Sequence, residues 1–179
     1  MIPDENSRPG SADFLVVMGI AGTGKTEIAS RLATALGCTW IEADRLHSAE
    51  NVELMRQGIG LTDEQRWPWL GEVCEAALAE RRRPVVIACS ALRRRYRDFM
   101  RERLGVVRFL FLDGPTELIE QRLQARKSHF ATTSLLASQL ATLERPEDDE
   151  QPIRLDIALT PEEIVSSAVR ALSAVHSTR

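Results

Sequence analysis

Cysteine is scarce. The 179-residue chain holds three, Cys38, Cys74 and Cys89, an odd number with none of the spacings of a metal site. That argues against a zinc module or a disulfide-stapled scaffold and fits buried thiols in a reducing cytoplasm. Long apolar runs are missing as well; nothing approaches the roughly 20 residues a membrane-spanning helix needs. No basic stretch followed by an apolar core opens the chain, so no secretory leader is expected. Residues 1–12, polar and bearing Pro3, Pro9 and Gly10, read as a flexible tail ahead of a single domain at 13–179. Charge is close to balanced, 23 Lys and Arg against 26 Asp and Glu, which predicts neither nucleic-acid nor membrane binding by bulk attraction. Internal repeats and domain linkers are absent, and the length suffices for one sizeable core.

What is present is concentrated near the start. Residues 19–26 read Gly-Ile-Ala-Gly-Thr-Gly-Lys-Thr, a complete phosphate loop. An apolar, strand-like run, 14–18, precedes it, and a helical spacing of Ile28, Leu32, Ala35 and Leu36 follows. In that context Gly19, Ala21, Gly22, Thr23 and Gly24 curl backbone N–H groups around a polyphosphate at a helix N-terminus. Lys25 reaches the β- and γ-phosphates, and the Thr26 hydroxyl ligates Mg²⁺. The chain is expected to bind a nucleoside triphosphate, ATP, with Mg²⁺.

Downstream, strand-like runs alternate with helical patterns, the signature of a parallel α/β sheet. Strands are expected at 39–42, 84–89, 106–112 and 153–159, giving five with helices on both faces. Ser48 is placed to cap a short helix over 50–56. Thr62 with Gln65 forms a capping box for a helix over 63–82. A helix is expected from about Ser90 to Leu104, others over 116–126 and 134–142, and a last one opening at Thr160-Pro161. The arginine-rich runs 81–83, 93–97 and 101–108 read for the most part as solvated helix faces, and 144–150 is acidic.

Ligands of open α/β sheets gather beyond the carboxyl ends of the strands. That places Glu42, Asp44, Arg45 and His47 after strand two, and Ser90, Arg93 and Arg97 after strand three. The helix after strand four ends in Arg122 and Arg126. Two carboxylates, several guanidiniums and a phosphate loop are the parts phosphoryl transfer needs. Strand three runs into Cys89-Ser90 with no acid, unlike motor and switch NTPases, which points to a small-molecule kinase. Glu42 is a candidate to organise metal-bound water beside Thr26. Trp67, Trp69 and Cys89 read as core.

The same residues carry a family resemblance over roughly 14–158. The phosphate loop, Asp44-Arg45-Leu46-His47, Arg66-Trp67-Pro68-Trp69-Leu70, Cys89-Ser90-Ala91-Leu92 with Tyr96-Arg97-Asp98, Lys127-Ser128-His129-Phe130 and Leu135-Leu136-Ala137-Ser138-Gln139 occur in the order and spacing of the P-loop gluconokinases, which the chain resembles. It departs from the family pattern at Glu42 (usually Asp), Ser48 (Pro), Arg93 (Lys) and Ser128 (Gly). The resemblance implies a nucleoside-monophosphate-kinase-like fold with a lid at about 127–142, a homodimer, and transfer from ATP to gluconate, giving 6-phosphogluconate. It implies Asp44 as the substrate-side carboxylate, with Lys25, Arg122 and Arg126 acting on the phosphates. His47, Arg66, Arg93 and Arg97 would bind the acceptor. Two rival expectations are a related small kinase for another acid such as shikimate, and a non-catalytic ATP-sensing module; retention of Asp44 beside Lys25 and Thr26 speaks against the second.

Overall fold

The computed structural model describes residues 12–125 and 131–174. Of the expected tail only Ala12 falls among them, packed at the edge of the core. Arg126 and positions 127–130 of the expected lid lie outside the described residues.

Five strands, β1 Phe14–Met18, β2 Thr39–Glu42, β3 Val85–Ala88, β4 Val107–Asp113 and β5 Ile153–Asp156, form one sheet in the order β2-β3-β1-β4-β5, every pair parallel. Central β1 is buried along its whole length, as its unbroken apolar run requires of a strand covered on both faces. Alternation divides it: Leu15 and Val17 face α1 (Lys25–Leu36), α5 (Thr116–Ala125) and α7 (Pro161–Ala174), meeting Ile28, Leu32, Ile119 and Ile164. Phe14, Val16 and Met18 face α3 (Asp63–Ala79) and α4 (Arg94–Leu104), meeting Leu70, Val73, Tyr96 and Met100. Each such fully buried side chain stabilises the sandwich by about 1.5–3 kcal/mol relative to exposure. Two further helices, α2 (Ala49–Arg56) and α6 (Ala131–Thr142), lie toward the ligand edge. Among the described residues no helix is long and apolar enough to cross a membrane.

Local signals set most boundaries. The Ser48 hydroxyl caps α2 by accepting from the Asn51 N–H, and Thr62 and Gln65 make both halves of the capping box of α3. Besides one-residue shifts at α2, β3 and β4, four boundaries differ from the sequence expectation. Helix α3 stops at Ala79 because Glu80 turns extended. Helix α4 begins at Arg94, not near Ser90, because residues 90–93 form a non-helical turn with Ala91 at φ 45°. Helix α6 begins at 131 rather than 134, and β5 ends at Asp156 rather than 159, where its carboxylate accepts from the Ala158 N–H in a tight turn.

Candidate active site

The phosphate loop leaves β1 at Met18 and enters α1 at Lys25. Gly24 caps that helix with φ 94°, in the left-handed region where a side chain is strained. Gly22 is fixed by space: a Cβ there would sit 2.8 Å from Leu123 Cγ, so the loop backbone lies directly on α5. Inside the loop the Thr23 hydroxyl and the Lys25 ammonium both donate to the Ile20 carbonyl, at 2.7 and 3.2 Å. Two outside contacts brace it. The Gly19 N–H donates to Ser90 O at the end of β3, and the Ala21 N–H donates to Gln139 Oε1 of α6 at 2.6 Å.

Beside the loop stands the end of β2. Glu42 accepts a hydrogen bond from the Thr26 hydroxyl through one carboxylate oxygen and, at 3.4 Å, from the Asp44 N–H through the other. The single 3₁₀ turn Ala43–Leu46 then exposes Asp44 to solvent. The turn is anchored from below, where the buried Trp69 indole N–H donates to Ala43 O at 2.8 Å. Charges on Asp44 and Lys25 both reach the buried Cys89 thiol, with opposite effect, while burial pushes that thiol up to about 12. Asp44 and Lys25 therefore flank the end of β3 together, and Cys89 itself is an inert core residue.

Past Asp44, the imidazole of His47 stacks on the Trp69 ring, 4.1 Å between centroids and 15° between planes. Its Nδ1 is buried with no hydrogen-bond partner among the described residues. Burial, and then the charge of Arg66, push its pKa down to about 4, so the ring is neutral at pH 7. Arg66 is steered by Leu61 O at 3.2 Å and lies over the Tyr96 ring at 5.5 Å. The Tyr96 hydroxyl donates to Asp63 at 2.6 Å, and burial and then that bond push its pKa up to about 12. Arg93, whose charge is felt at the same phenol, also carries a buried Nε with no partner among the described residues. Two orphaned buried nitrogens on one rim are the mark of a site built for a ligand, because a buried polar atom without a partner costs about 1–3 kcal/mol.

Arg97 is a correction. Its side chain is 0% exposed; Nε and Nη2 bind the two oxygens of Glu150 at 2.7 and 2.8 Å, and Nη1 donates to the Ala91 and Leu92 carbonyls. With its donors spent inside the protein, it holds the 90–93 turn from beneath and presents nothing to an acceptor. Arg101 joins the same cluster, its Nη2 2.9 Å from Glu150, whereas Arg94, paired with Asp149, stays on the solvated face as expected. Arg122, by contrast, lines a cavity of about 330 Å³ with Gly22, Thr23, Gly24, Leu159 and Pro161, its Nη2 donating to Ile157 O at 2.7 Å. The apolar Leu159 and Pro161 wall beside the phosphate loop was not foreseen, because the helix-start signal at Pro161 does not say which cavity that helix borders. Trp67 and Trp69 are core-facing as expected, but Trp69 also braces both Ala43 and His47.

Comparison with known proteins agrees with this geometry. The family model described as an AAA domain matches residues 14–146. The chain is 40% identical to the thermosensitive gluconokinase of Escherichia coli (strain K12), over 94% of this chain and 92% of that one. It is 44% identical to the gluconokinase of Gluconobacter oxydans (strain 621H), over 90% and 92%. A crystal structure of a gluconokinase from Sinorhizobium meliloti 1021 superposes with a TM-score of 0.82 at 43% identity, covering 93% of each chain. With the phosphate loop, the strand-two carboxylates and the Arg66–Trp69 segment on one sheet edge, the chain belongs to the gluconokinase family of P-loop kinases, phosphotransferases with an alcohol group as acceptor.

Proposed function

We propose that the protein transfers the γ-phosphate of ATP to the 6-hydroxyl of D-gluconate, giving 6-phospho-D-gluconate and ADP. One observation carries the acceptor reading: the rim beyond Asp44 combines a neutral imidazole on an indole with the guanidiniums of Arg66 and Arg93. A hydroxyl both donates and accepts, so it satisfies His47 Nδ1 in either tautomer, and a carboxylate suits a guanidinium. A chain of hydroxyls ending in a carboxylate has both. The gluconokinases named above point to the same class of acceptor.

Asp44, exposed beside the loop, orients the attacking hydroxyl and takes its proton as the new O–P bond forms. Lys25 and Arg122 stabilise the negative charge on the moving phosphoryl group; the Gly19 and Ala21 N–H groups are taken by Ser90 O and Gln139, so the remaining loop N–H groups hold the phosphates that stay behind. The Thr26 hydroxyl and Glu42 carboxylate, already in contact, are hard oxygen donors of the kind Mg²⁺ takes sparingly while keeping most of its water. An Mg²⁺ held by Thr26 and Glu42 would supply positive charge that offsets the charge of the phosphates. Arg126 is proposed to join Arg122 on the phosphates.

A panel of sugar acids, shikimate and neutral polyols, each with ATP and Mg²⁺ in a coupled ADP-release assay, tests this reading. Gluconate should give the highest kcat/KM. Turnover of shikimate with none of gluconate would overturn the acceptor assignment.

A further inference from the structure

Gln139 has no role in the mechanism above, yet it touches the phosphate loop directly. Its side-chain oxygen lies 2.6 Å from the Ala21 nitrogen. The chemistry fixes which end of the carboxamide this is: a backbone N–H only donates, so the atom facing it is Oε1 and not Nε2. With Oε1 committed to Ala21, the Nε2 end of the carboxamide, which only donates, points away from that N–H. Ala21 belongs to the loop that cradles a nucleotide's phosphates. Lys25, the cation that meets the β- and γ-phosphates in such loops, rests its ammonium on Ile20 O, one residue from Ala21. On the adjoining position of the helix, Ser138 Oγ stands against Gly60, beside the helix that supplies Arg66, where a Cβ would come within 3.7 Å of it. Helix α6 thus spans the seam between the phosphate loop and the acceptor side, and Gln139 sits on the loop side of that seam.

We propose that Gln139 contacts the γ-phosphate: the Ala21 N–H fixes Oε1, and the Nε2 hydrogens bind the terminal phosphate beside Lys25. The contact rests on the protein using ATP as proposed above and is independent of the acceptor. It makes Gln139 a reader of the third phosphate, strong with a triphosphate and absent with a diphosphate.

The test is calorimetric titration of the full chain with Mg²⁺ and either ADP or a non-hydrolysable imido analogue of ATP. Gln139→Met keeps length and loses both hydrogen-bonding ends; it should weaken the analogue about tenfold, the worth of one hydrogen bond to a charged group, and leave ADP within about twofold. Gln139→Glu keeps the acceptor for Ala21 and turns the donor end into a negative charge; it should weaken the analogue more than Met does. Loss of both nucleotides alike in the Met variant, with wild-type binding in the Glu variant, would reduce Gln139 to a prop for the loop and overturn the proposal. Unchanged discrimination in both variants would overturn it as well. No acceptor is present in the titration, so an error in the acceptor assignment leaves its result unaltered.

Discussion

Replacing Glu150 by Gln removes one charge from the most enclosed ion cluster among the described residues. Its side chain is 1% exposed, its partner Arg97 is 0% exposed, and Arg101 adds a third contact. Burial alone would raise the Glu150 pKa, but hydrogen bonds from Arg97 and Arg101 outweigh it and hold the carboxyl down at about 2 against an ordinary 4.5. Converted by linkage, that displacement corresponds to about 2–3 kcal/mol of stability, the lower figure allowing for screening by solvent near the surface. The group's folded pKa is depressed, so this contribution is complete above pH 4.5 and is lost as pH falls toward 2. Urea unfolding at pH 7 should therefore show Glu150→Gln less stable by that amount, with a melting temperature lower by about 4–12 °C for a chain of this length. At pH 3 the gap between variant and parent should have narrowed. Pairing Arg97→Met with Glu150→Met should destabilise less than Glu150→Met alone, because the double change leaves no unpaired guanidinium buried. A Gln variant within about 0.5 kcal/mol of the parent at pH 7, the usual spread of an ordinary surface change, would refute the reasoning. So would a gap that stays constant between pH 7 and pH 3.

Lys25→Ala should abolish turnover while circular dichroism and melting temperature stay close to wild type, since the loop side chain fills no core space; near-normal kcat would remove the phosphate-loop mechanism. Asp44→Asn should lower kcat by about two to four orders of magnitude with little change in binding of an ATP analogue, the range expected for losing a general base. Rescue of that variant by excess Mg²⁺ would reassign Asp44 to the metal. His47 is neutral above its lowered pKa of about 4, so the KM for gluconate should be flat from pH 8 to pH 5.5 and rise only as pH approaches 4. A KM that instead titrates near pH 6.5 would mean that the imidazole is not enclosed against Trp69.

Elements announced by neighbours in the chain were readable. The phosphate loop, the Ser48 cap, the Thr62–Gln65 capping box and the Pro161 helix start depend on residues within seven positions of each other, and all four are present. The turn at 90–93 was not readable because its constraints are distant. Ser90 O is held by Gly19, the Leu92 carbonyl by Glu144 N–H, and the Arg94 N–H by the Glu144 carboxylate. Arg97 was misread for the same reason: position after a strand suggested a ligand contact, while its partner Glu150 lies 53 residues further on. Read separately, the basic run after strand three and the acidic run before strand five each look solvated; folded, they neutralise one another. His47 and Arg93 follow the carboxyl ends of strands two and three, so topology places them on one sheet edge; Arg66, inside α3, was marked by the family resemblance alone, and its charge reaches both His47 and the Tyr96 phenol.

The Arg97–Glu150 pair also imposes a schedule on synthesis. Arg97 is made 53 residues before its counter-charge, an interval of roughly 3–10 s at about 5–20 residues per second on the ribosome. Until then its guanidinium can stay wet, or it can be buried alone at a cost of several kcal/mol. Helix α4, though mid-chain, is thereby held back from its final seat against the sheet, and the arrival of residue 150 sets it. A nascent chain stalled, or a message cut short, anywhere between those two positions yields a polypeptide with its phosphate loop and both strand-two carboxylates intact but with Arg97 unpaired and β5 and α7 unmade. Such a fragment leaves both faces of the sheet incomplete, one of them for want of an acid far from any residue that performs the chemistry.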